Sequence, residues 1–115
     1  MKGFSGNIEE LTLANNNFRQ VLYAAKHCQL VLMSLPVGGE IGSEIHEEND
    51  QFFRFESGEG KVLIDGNEYI VSDGSAIIVP AGAEHNVINT GEEPLKLYTI
   101  YSPAHHKDGI VRATR

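Results

Sequence analysis

The sequence predicts an all-β, antiparallel domain, either a sandwich or a barrel, and three observations support this. Most apolar segments are short and rich in β-branched or aromatic residues, as strands are. Each is bounded by Gly, Pro, Asn or Asp, and Gly occurs 12 times in 115 residues, above its average share of about 7%. The segments also recur at steady spacing, which is typical of sandwiches and barrels rather than of alternating βα units.

Eight segments meet these conditions along the chain. They are Phe18–Ala24, Leu30–Leu35, Phe52–Glu56, Lys61–Ile64, Glu68–Val71, Ala76–Val79, Asn86–Ile88 and Leu95–Tyr101. The clearest hairpin has Asp65 and Gly66 at its turn, because a type I′ turn requires positive φ at both central residues. Ahead of the first strand, Asn7–Ala14 predicts a short helical segment that ends at the three asparagines 15–17.

Length and charge limit the organisation and the partners. A chain of 115 residues and 12.6 kDa predicts one domain over residues 1–115, with a core at about 18–101 and a polar C-terminal tail at 102–115. Nine basic residues against 16 acidic residues give a formal net charge of −7, and the basic residues are scattered. Because nucleic-acid binding needs clustered Lys and Arg, we expect no nucleic-acid partner.

Apolar runs and cysteine usage predict the compartment. The longest apolar runs, such as Leu30–Met33 and Ala76–Val79, are far shorter than the ~18 residues that a membrane helix requires. The first residues contain no apolar signal-peptide region. A single cysteine, Cys28, cannot form an internal disulfide, which fits a reducing compartment. We therefore expect a cytoplasmic protein with no membrane partner, and we expect Cys28 to pack as a small buried hydrophobe.

Four polar side chains are predicted to converge. Glu44 and His46 are two residues apart, so in an extended strand both side chains leave the same face. Gln51 begins the next strand on the face that it shares with Phe53 and Phe55. His85 follows the turn sequence Pro-Ala-Gly at 80–82. If these strands fold over one another, Glu44, His46, Gln51 and His85 can meet at one site.

Two segments resemble the motifs of a known family. The segment 74–89, GSAIIVPAGAEHNVIN, resembles the second cupin motif at every fixed position, namely Gly74, Pro80, Gly82, His85 and Asn89. The segment from Gly38 to Gly58 resembles the first cupin motif, with His46 on its second histidine. Two fixed positions differ, because Glu44 stands where the first histidine is usual and Gln51 where the glutamate is usual. The chain is thereby identified as resembling the small, single-domain, mannose-6-phosphate isomerase-like cupins.

The resemblance implies a fold, a cofactor and an assembly. It implies an antiparallel double-stranded β-helix, the jelly-roll or cupin barrel, with a metal in its mouth and a homodimeric state. The metal ligands would be Glu44, His46, Gln51 and His85. Two imidazoles with one carboxylate are typical of Fe(II) and its neighbours, so we expect Fe, Mn, Ni or Zn. One carboxylate on a divalent ion leaves a charge of about +1, which suits an anionic or chelating oxygen substrate.

Each candidate residue also has a structural interpretation. A buried histidine is often a packed, hydrogen-bonded side chain, and the amide of Gln51 can equally bond a neighbour. Phe53 and Phe55 are most simply core or cavity wall. By the alternation of side chains along a strand, Phe18 and Phe52 point to the other face from Phe53 and Phe55. They are candidates for a sheet-to-sheet or dimer contact.

The tail contains two further candidates. His105 and His106 follow the last strand, and imidazole titrates near neutral pH, so either could act as a catalytic acid or base over the site. The other interpretation is a polar C-terminus without a catalytic role.

These observations predict a metal-dependent enzyme that acts on a small oxygen-rich molecule by dioxygenase, isomerase or lyase chemistry. The alternatives are a non-catalytic small-molecule or metal-binding module, and a metal-free sugar isomerase- or epimerase-like cupin. Sugar-phosphate chemistry is disfavoured because Arg54 and Lys61 are the only cations seen near the motifs. By strand parity, Arg54 also faces away from Gln51.

Overall fold

The computed structural model describes residues 1–103 and 111–115. Within these residues, one helix and ten strands follow one another: α1 (Ile8–Ala14), β1 (Arg19–Ala24), β2 (Gln29–Leu35), β3 (Glu44–Ile45), β4 (Asp50–Ser57), β5 (Gly60–Ile64), β6 (Asn67–Val71), β7 (Ala76–Val79), β8 (Glu84–Asn89), β9 (Leu95–Ser102) and β10 (Val111–Arg112). All eight predicted strands are present, with ends shifted by at most two residues. The additional strands β3 and β10 have two residues each, too short for an alternating pattern to show.

The strands form two sheets. The larger sheet has the order β10-β1-β2-β9-β4-β7, and the smaller has the order β3-β8-β5-β6. Every pairing is antiparallel. Neighbours such as β2 and β9, or β4 and β7, are far apart in sequence, as in a jelly roll. The predicted antiparallel jelly-roll barrel is confirmed.

Local sequence accounts for the hairpin between β5 and β6. Asp65 has φ of 47° and Gly66 has φ of 83°, the two positive values that a type I′ turn requires. Asp65 and Gly66 therefore fix the register in which Ile64 pairs with Asn67.

Helix α1 lies against β9, β4 and β2 of the larger sheet. Its N-cap is Asn7, whose side-chain oxygen accepts a hydrogen bond from the backbone N–H of Glu10 at 3.0 Å. Beyond its C-terminus, the ammonium of Lys96 donates to the carbonyl of Asn15 and, at 2.9 Å, to Oδ1 of Asn16. The predicted helical segment is confirmed, and it covers part of the sheet's outer face.

The core lies between the two sheets. Its buried apolar residues include Phe18, Val21, Val31, Met33, Leu35, Phe53, Phe55, Val62, Val71, Val79, Val87, Leu95, Leu97 and Tyr101. Phe53 and Phe55 stack with ring centroids 6.2 Å apart, as their predicted core position requires. Phe18 is buried in this cluster, so it lies in the core and not on an outer face. Phe52 points outward and is half-buried.

Cys28 differs from its prediction. It is exposed because it lies in the turn between β1 and β2, where its carbonyl accepts a hydrogen bond from the N–H of Ala25 at 2.8 Å. The apolar strand begins one residue later, at Gln29.

Within residues 1–103 and 111–115, no helix has the length and apolar character needed to cross a membrane.

Candidate metal centre

The structure brings Glu44, His46 and His85 together. In the pairing of β3 with β8, Glu44 lies directly opposite His85, and His46 follows β3 on the same face. One potential ligand atom from each residue lies within 4.8 Å of the others. Nε2 of His46 is 3.6 Å from Oε1 of Glu44, and the two imidazole centroids are 5.3 Å apart. The cluster is thus built from two residues at alternate positions of one segment, Glu44 and His46, and from one residue of the partner strand, His85.

The turn at residues 80–82 positions His46. The backbone N–H of Gly82 donates to the carbonyl of His46 at 2.9 Å, while the N–H of Ala81 donates to the carboxylate of Asp50 at 2.9 Å. Gly82 has φ of 88°, in the left-handed region that a residue with a side chain rarely adopts. The Pro-Ala-Gly sequence therefore ties the start of β8 to the segment between β3 and β4.

His85 presents a free nitrogen. Its Nδ1 is 3.0 Å from the carbonyl oxygen of Ala83, and because a carbonyl only accepts, Nδ1 carries the proton. The lone pair of the neutral ring is then on Nε2. Nε2 is buried without a hydrogen-bond partner among the described residues. A backbone carbonyl that fixes the tautomer in this way is the usual support of a metal-binding histidine.

Gln51 lies on the facing sheet. Its Nε2 donates to Oγ1 of Thr99 at 3.0 Å, so the amide does bond a neighbour, as its structural interpretation predicted. Its Oε1 is nevertheless buried without a hydrogen-bond partner in the described part of the chain. The residue is only 2% exposed. An orphaned amide oxygen of this kind costs free energy, and it remains a donor atom for a metal.

Tyr101 joins the two sides of the site and was not among the predicted site residues. It pairs with Gln51 across β4 and β9, and its ring meets the imidazole of His46 edge-on at 5.7 Å. Burial raises the pKa of its hydroxyl to about 12. The charge of Arg19 opposes that rise, Glu44 adds to it, and a hydrogen bond with Gln51 lowers the pKa again.

A sequence signal for Tyr101 did exist. Leu95, Leu97, Thr99 and Tyr101 share one face of β9, and all four are buried. Two polar residues continuing an apolar, inward-facing series indicate the polar end of the barrel interior.

The remaining predicted candidates lie elsewhere. His105 and His106 are outside the described residues. Arg54 points outward and pairs with Glu56 at 3.3 Å, as its parity predicted. Lys61 pairs with Glu68 at 3.1 Å. Neither cation reaches the cluster of Glu44, His46 and His85.

The donor set fits a divalent metal ion. Two imidazoles and one carboxylate are the ligands that first-row metals such as Fe(II) accept. The two histidines are 8% and 4% exposed, so the cluster is shielded from bulk water. Buried polar atoms are normally hydrogen-bonded. The orphaned Nε2 of His85 and Oε1 of Gln51 are therefore explained if a ligand occupies this site.

Two surface clefts lie away from this cluster. One, of about 720 Å³, is lined by polar loop residues such as Glu59, Asp73 and Glu92. The other, of about 620 Å³, lies near Phe18, Pro36 and the C-terminal residues. Neither contains Glu44, His46 or His85, and neither brings together groups with an evident chemical role.

Comparisons with known proteins agree with the geometry. A family model described as the cupin domain matches residues 31–101. The uncharacterized protein YrkC from Bacillus subtilis is 49% identical over 120 residues, covering 99% of this chain and 64% of that protein. The uncharacterized protein L612 from Acanthamoeba polyphaga mimivirus is 42% identical over 113 residues, covering 95% of this chain and 71% of that protein.

A solved structure is also similar. The crystal structure of BH2720 from Bacillus halodurans is 45% identical, covers 98% of this chain and 90% of that chain, and superposes with a TM-score of 0.97. This chain spans just under two thirds of the length of the B. subtilis relative. The similarity shows the family and the fold, whereas the chemistry depends on the residues of the site.

Proposed function

The chain belongs to the cupin family, and we propose that it is a metal-dependent enzyme acting on a small oxygen-rich molecule. The observation that carries this proposal is the buried, unpartnered Nε2 of His85 within 4.8 Å of ligand atoms from Glu44 and His46. A structural histidine in such surroundings would have both nitrogens bonded. His85 has one nitrogen fixed by the carbonyl of Ala83 and the other left for a ligand.

Glu44, His46 and His85 would hold the metal, with Oε1 of Gln51 as the fourth donor. The ion would be Fe, Mn, Ni or Zn, the metals that accept imidazole and carboxylate together. Gln51 is a neutral, weak donor, so it leaves the site more open to an exchanging ligand than a glutamate would. An enzyme needs such an exchangeable position for its substrate.

The chemistry depends on an ion and on the residues around it. When bound, the ion supplies Lewis-acid polarisation of a substrate carbonyl or hydroxyl oxygen. Tyr101 keeps its proton throughout the neutral range, since its pKa is about 12, so it acts as a hydrogen-bond donor beside His46. Phe53, whose ring lies 6.4 Å from that of His85, provides an apolar wall that excludes water.

These features support dioxygenase, isomerase or lyase chemistry on vicinal oxygens. They do not favour sugar-phosphate isomerisation, because Arg54 and Lys61 are engaged in ion pairs with Glu56 and Glu68 away from the cluster. The buried nitrogen of His85 lies beside ligand atoms of Glu44 and His46, which favours a metal site over a metal-free cupin.

The test is turnover by reconstituted protein. Protein loaded separately with Fe(II), Mn(II), Ni(II) or Zn(II) is assayed for oxygen uptake with oxo acids and diols. Isomerised or cleaved products are followed by NMR. We expect turnover with at least one metal and none with His85→Ala, while His27→Ala, which changes an exposed histidine, behaves as wild type. Stoichiometric metal without turnover across the panel would favour the non-catalytic binding module.

We also propose a homodimer formed through the outer face of the larger sheet. Leu30, Ile100, Phe52 and Ile78 are opposite one another on β2, β9, β4 and β7, giving one apolar row. Ile78 is 68% exposed. An apolar row on an outer sheet face, half-buried at Leu30, Phe52 and Ile100 and exposed at Ile78, suits a self-complementary contact. Sedimentation velocity should give a dimer that Ile78→Lys converts to a monomer, and a wild-type monomer at micromolar concentration would refute the proposal.

A reducing compartment, and hence the cytoplasm, is proposed from Cys28, a free and exposed thiol. Such a thiol would oxidise or pair between molecules in a secreted protein. Cell fractionation with an antibody to the protein tests this location, and recovery from an extracellular or periplasmic fraction would contradict it.

A further inference from the structure

Thr99 places a buried hydroxyl in an otherwise apolar row of the larger sheet. It lies opposite Val31 of β2 and Phe53 of β4, and Phe53 in turn lies opposite Ile77 of β7. Thr99 is completely buried. A valine has the same shape and would pack here as well, whereas a buried hydroxyl costs free energy unless it is hydrogen-bonded. Packing alone therefore does not account for the hydroxyl.

The hydroxyl of Thr99 bonds the side chain of Gln51. Nε2 of Gln51 donates to Oγ1 of Thr99 at 3.0 Å. Gln51 lies opposite Tyr101, two residues beyond Thr99 on β9, so Gln51 and Thr99 are diagonal neighbours on paired strands, within reach of a long side chain. Threonine is β-branched and stiff about χ1, so its oxygen is an acceptor held in a fixed position.

Two aromatic rings place Gln51 beside the cluster of candidate metal ligands. Phe53 is two residues from Gln51 on the same face of β4, and its ring lies 6.4 Å from that of His85. Tyr101 lies opposite Gln51 on β9, and its ring lies 5.7 Å from that of His46. Gln51 is thus flanked on both sides by rings that contact a histidine of the cluster.

The hydrogen bond to Thr99 also determines which end of the Gln51 amide remains free. With Nε2 bonded to Thr99, the remaining atom is Oε1, which is buried without a hydrogen-bond partner among the described residues. An amide oxygen accepts hydrogen bonds and binds metal ions, whereas an amide NH₂ group only donates. Rotation of the amide by half a turn would exchange the two atoms and remove the candidate ligand.

We propose that Thr99 is a positioning residue for the metal site. Its hydroxyl holds the amide of Gln51 so that Oε1 is directed at the ion that the cluster would bind. Outer residues that orient metal ligands in this way contribute to metal affinity. The inference rests on the proposed metal-dependent function, and it adds a residue outside the ligand set that determines how Gln51 takes part.

Metal titration of a double-mutant cycle tests this proposal. The variants are Thr99→Val, Gln51→Ala and the double variant, each titrated with Zn(II) and Mn(II) against a chelating dye. Thr99→Ser keeps the hydroxyl. Thr12→Val is the matched control, because Thr12 is also completely buried and its hydroxyl donates to the carbonyl of Ile8 in α1 at 2.7 Å. Circular dichroism of the metal-free proteins verifies folding.

We expect Thr99→Val to lose about 10-fold in metal affinity, at the lower end of the effect of an outer residue, because Gln51 is a weak donor. Thr99→Ser and Thr12→Val should stay within about threefold of the wild type. In the Gln51→Ala background, Thr99→Val should change the affinity by less than about twofold, since the side chain through which Thr99 acts is gone. Unchanged affinity in Thr99→Val would overturn the proposal, as would an equal loss in both backgrounds.

NMR of the metal-free wild type separates this proposal from the proposed function. The side-chain amide protons of Gln51 should show nuclear Overhauser effects to the methyl group of Thr99, and this measurement requires neither a metal nor a variant. Their absence would overturn the proposal even if Thr99→Val does not fold. If the wild type binds neither metal, the proposed function fails, and the same signals still decide whether Thr99 orients Gln51.

Discussion

Strand β8 carries a buried polar residue near each of its ends, and the two have opposite hydrogen-bonding states. His85 and Asn89 are four residues apart, about 13 Å along a strand. The side-chain amide nitrogen of Asn89 donates to the carbonyls of Leu35, Pro36 and Glu93, at 3.1, 3.2 and 2.8 Å. Its Oδ1 accepts from the N–H of Gly91 at 2.9 Å. His85, by contrast, keeps one buried nitrogen without a hydrogen-bond partner among the described residues.

Within one motif, Asn89 therefore has a structural role and His85 is available to bind a ligand. Asn89 ties together the carbonyls of Leu35, Pro36 and Glu93 and the N–H of Gly91, so it stabilises the fold. The orphaned atoms of His85 and Gln51 lower stability unless something binds them. Both residues of β8 match the second cupin motif, but only the unsatisfied one is suited to bind a ligand.

The largest expected effect is on metal affinity. His85→Ala removes a ligand, and because loss of even a supporting residue costs about 10- to 100-fold in affinity, we expect a loss of at least about 100-fold. The fold should remain, as judged by circular dichroism of the metal-free protein. Competition titration with a chelating dye measures the affinity, with His27→Ala as control. Unchanged affinity would remove His85 from the ligand set.

Asn89→Ala should show the reverse pattern. It removes four buried or part-buried hydrogen bonds, which should lower the free energy of unfolding by about 2–4 kcal/mol. Urea denaturation of metal-free protein measures this loss. Metal affinity at a temperature where the variant is folded should stay within about threefold of the wild type. A stable variant with impaired metal binding would contradict the assignment of the two roles.

The hydroxyl of Tyr101 should make stability depend on alkaline pH. Its pKa is raised by burial from 10.0 to about 12 in the folded protein, so the unfolded chain releases this proton first. The stabilisation is complete below pH 10 and is lost as pH rises from 10 to 12. It amounts to about 2–3 kcal/mol at 1.36 kcal/mol per pKa unit.

Urea denaturation of metal-free protein across pH 9–12 measures this effect. The wild type should lose more stability over that range than Tyr101→Phe, which has no proton to release. Parallel pH profiles would show that the hydroxyl is not buried as described.

The smallest effect is expected for Glu44→His, which restores the usual cupin histidine. An imidazole should replace the carboxylate with a change in metal affinity of about tenfold or less. Glu44→Ala serves as the comparison and should lose metal. Complete loss in Glu44→His would show that β3 and β8 do not bring Glu44 beside His85 as described.

Much of the fold was predictable because it depends on local patterns. Short apolar segments and their Gly, Pro, Asn and Asp boundaries located eight strands, and Asp65-Gly66 specified its turn. Strand β3 was not predicted as a strand because two residues are too few to show an alternating apolar and polar pattern. The exposure of Cys28 was not predicted because the residue lies in the turn before β2 and not on the buried strand that begins at Gln29.

The candidate site was only partly predictable. Glu44, His46 and His85 followed from spacing and motif, and the structure places them together. Tyr101 belongs to a strand outside both motifs. The alternation along β9 indicates that its side chain points inward, but its place opposite Gln51 depends on which strands pair and in which register, and a single sequence does not determine that pairing. His105 and His106 stay predictions.

The measurement that tests the central claim most directly is the metal content of untagged protein purified without chelators. Inductively coupled plasma mass spectrometry would quantify Fe, Mn, Ni and Zn in the wild type, His85→Ala and Asn89→Ala. The account predicts about one metal ion per chain in the wild type and in folded Asn89→Ala, and almost none in His85→Ala. Absence of metal from the wild type, even after reconstitution with each ion, would contradict it.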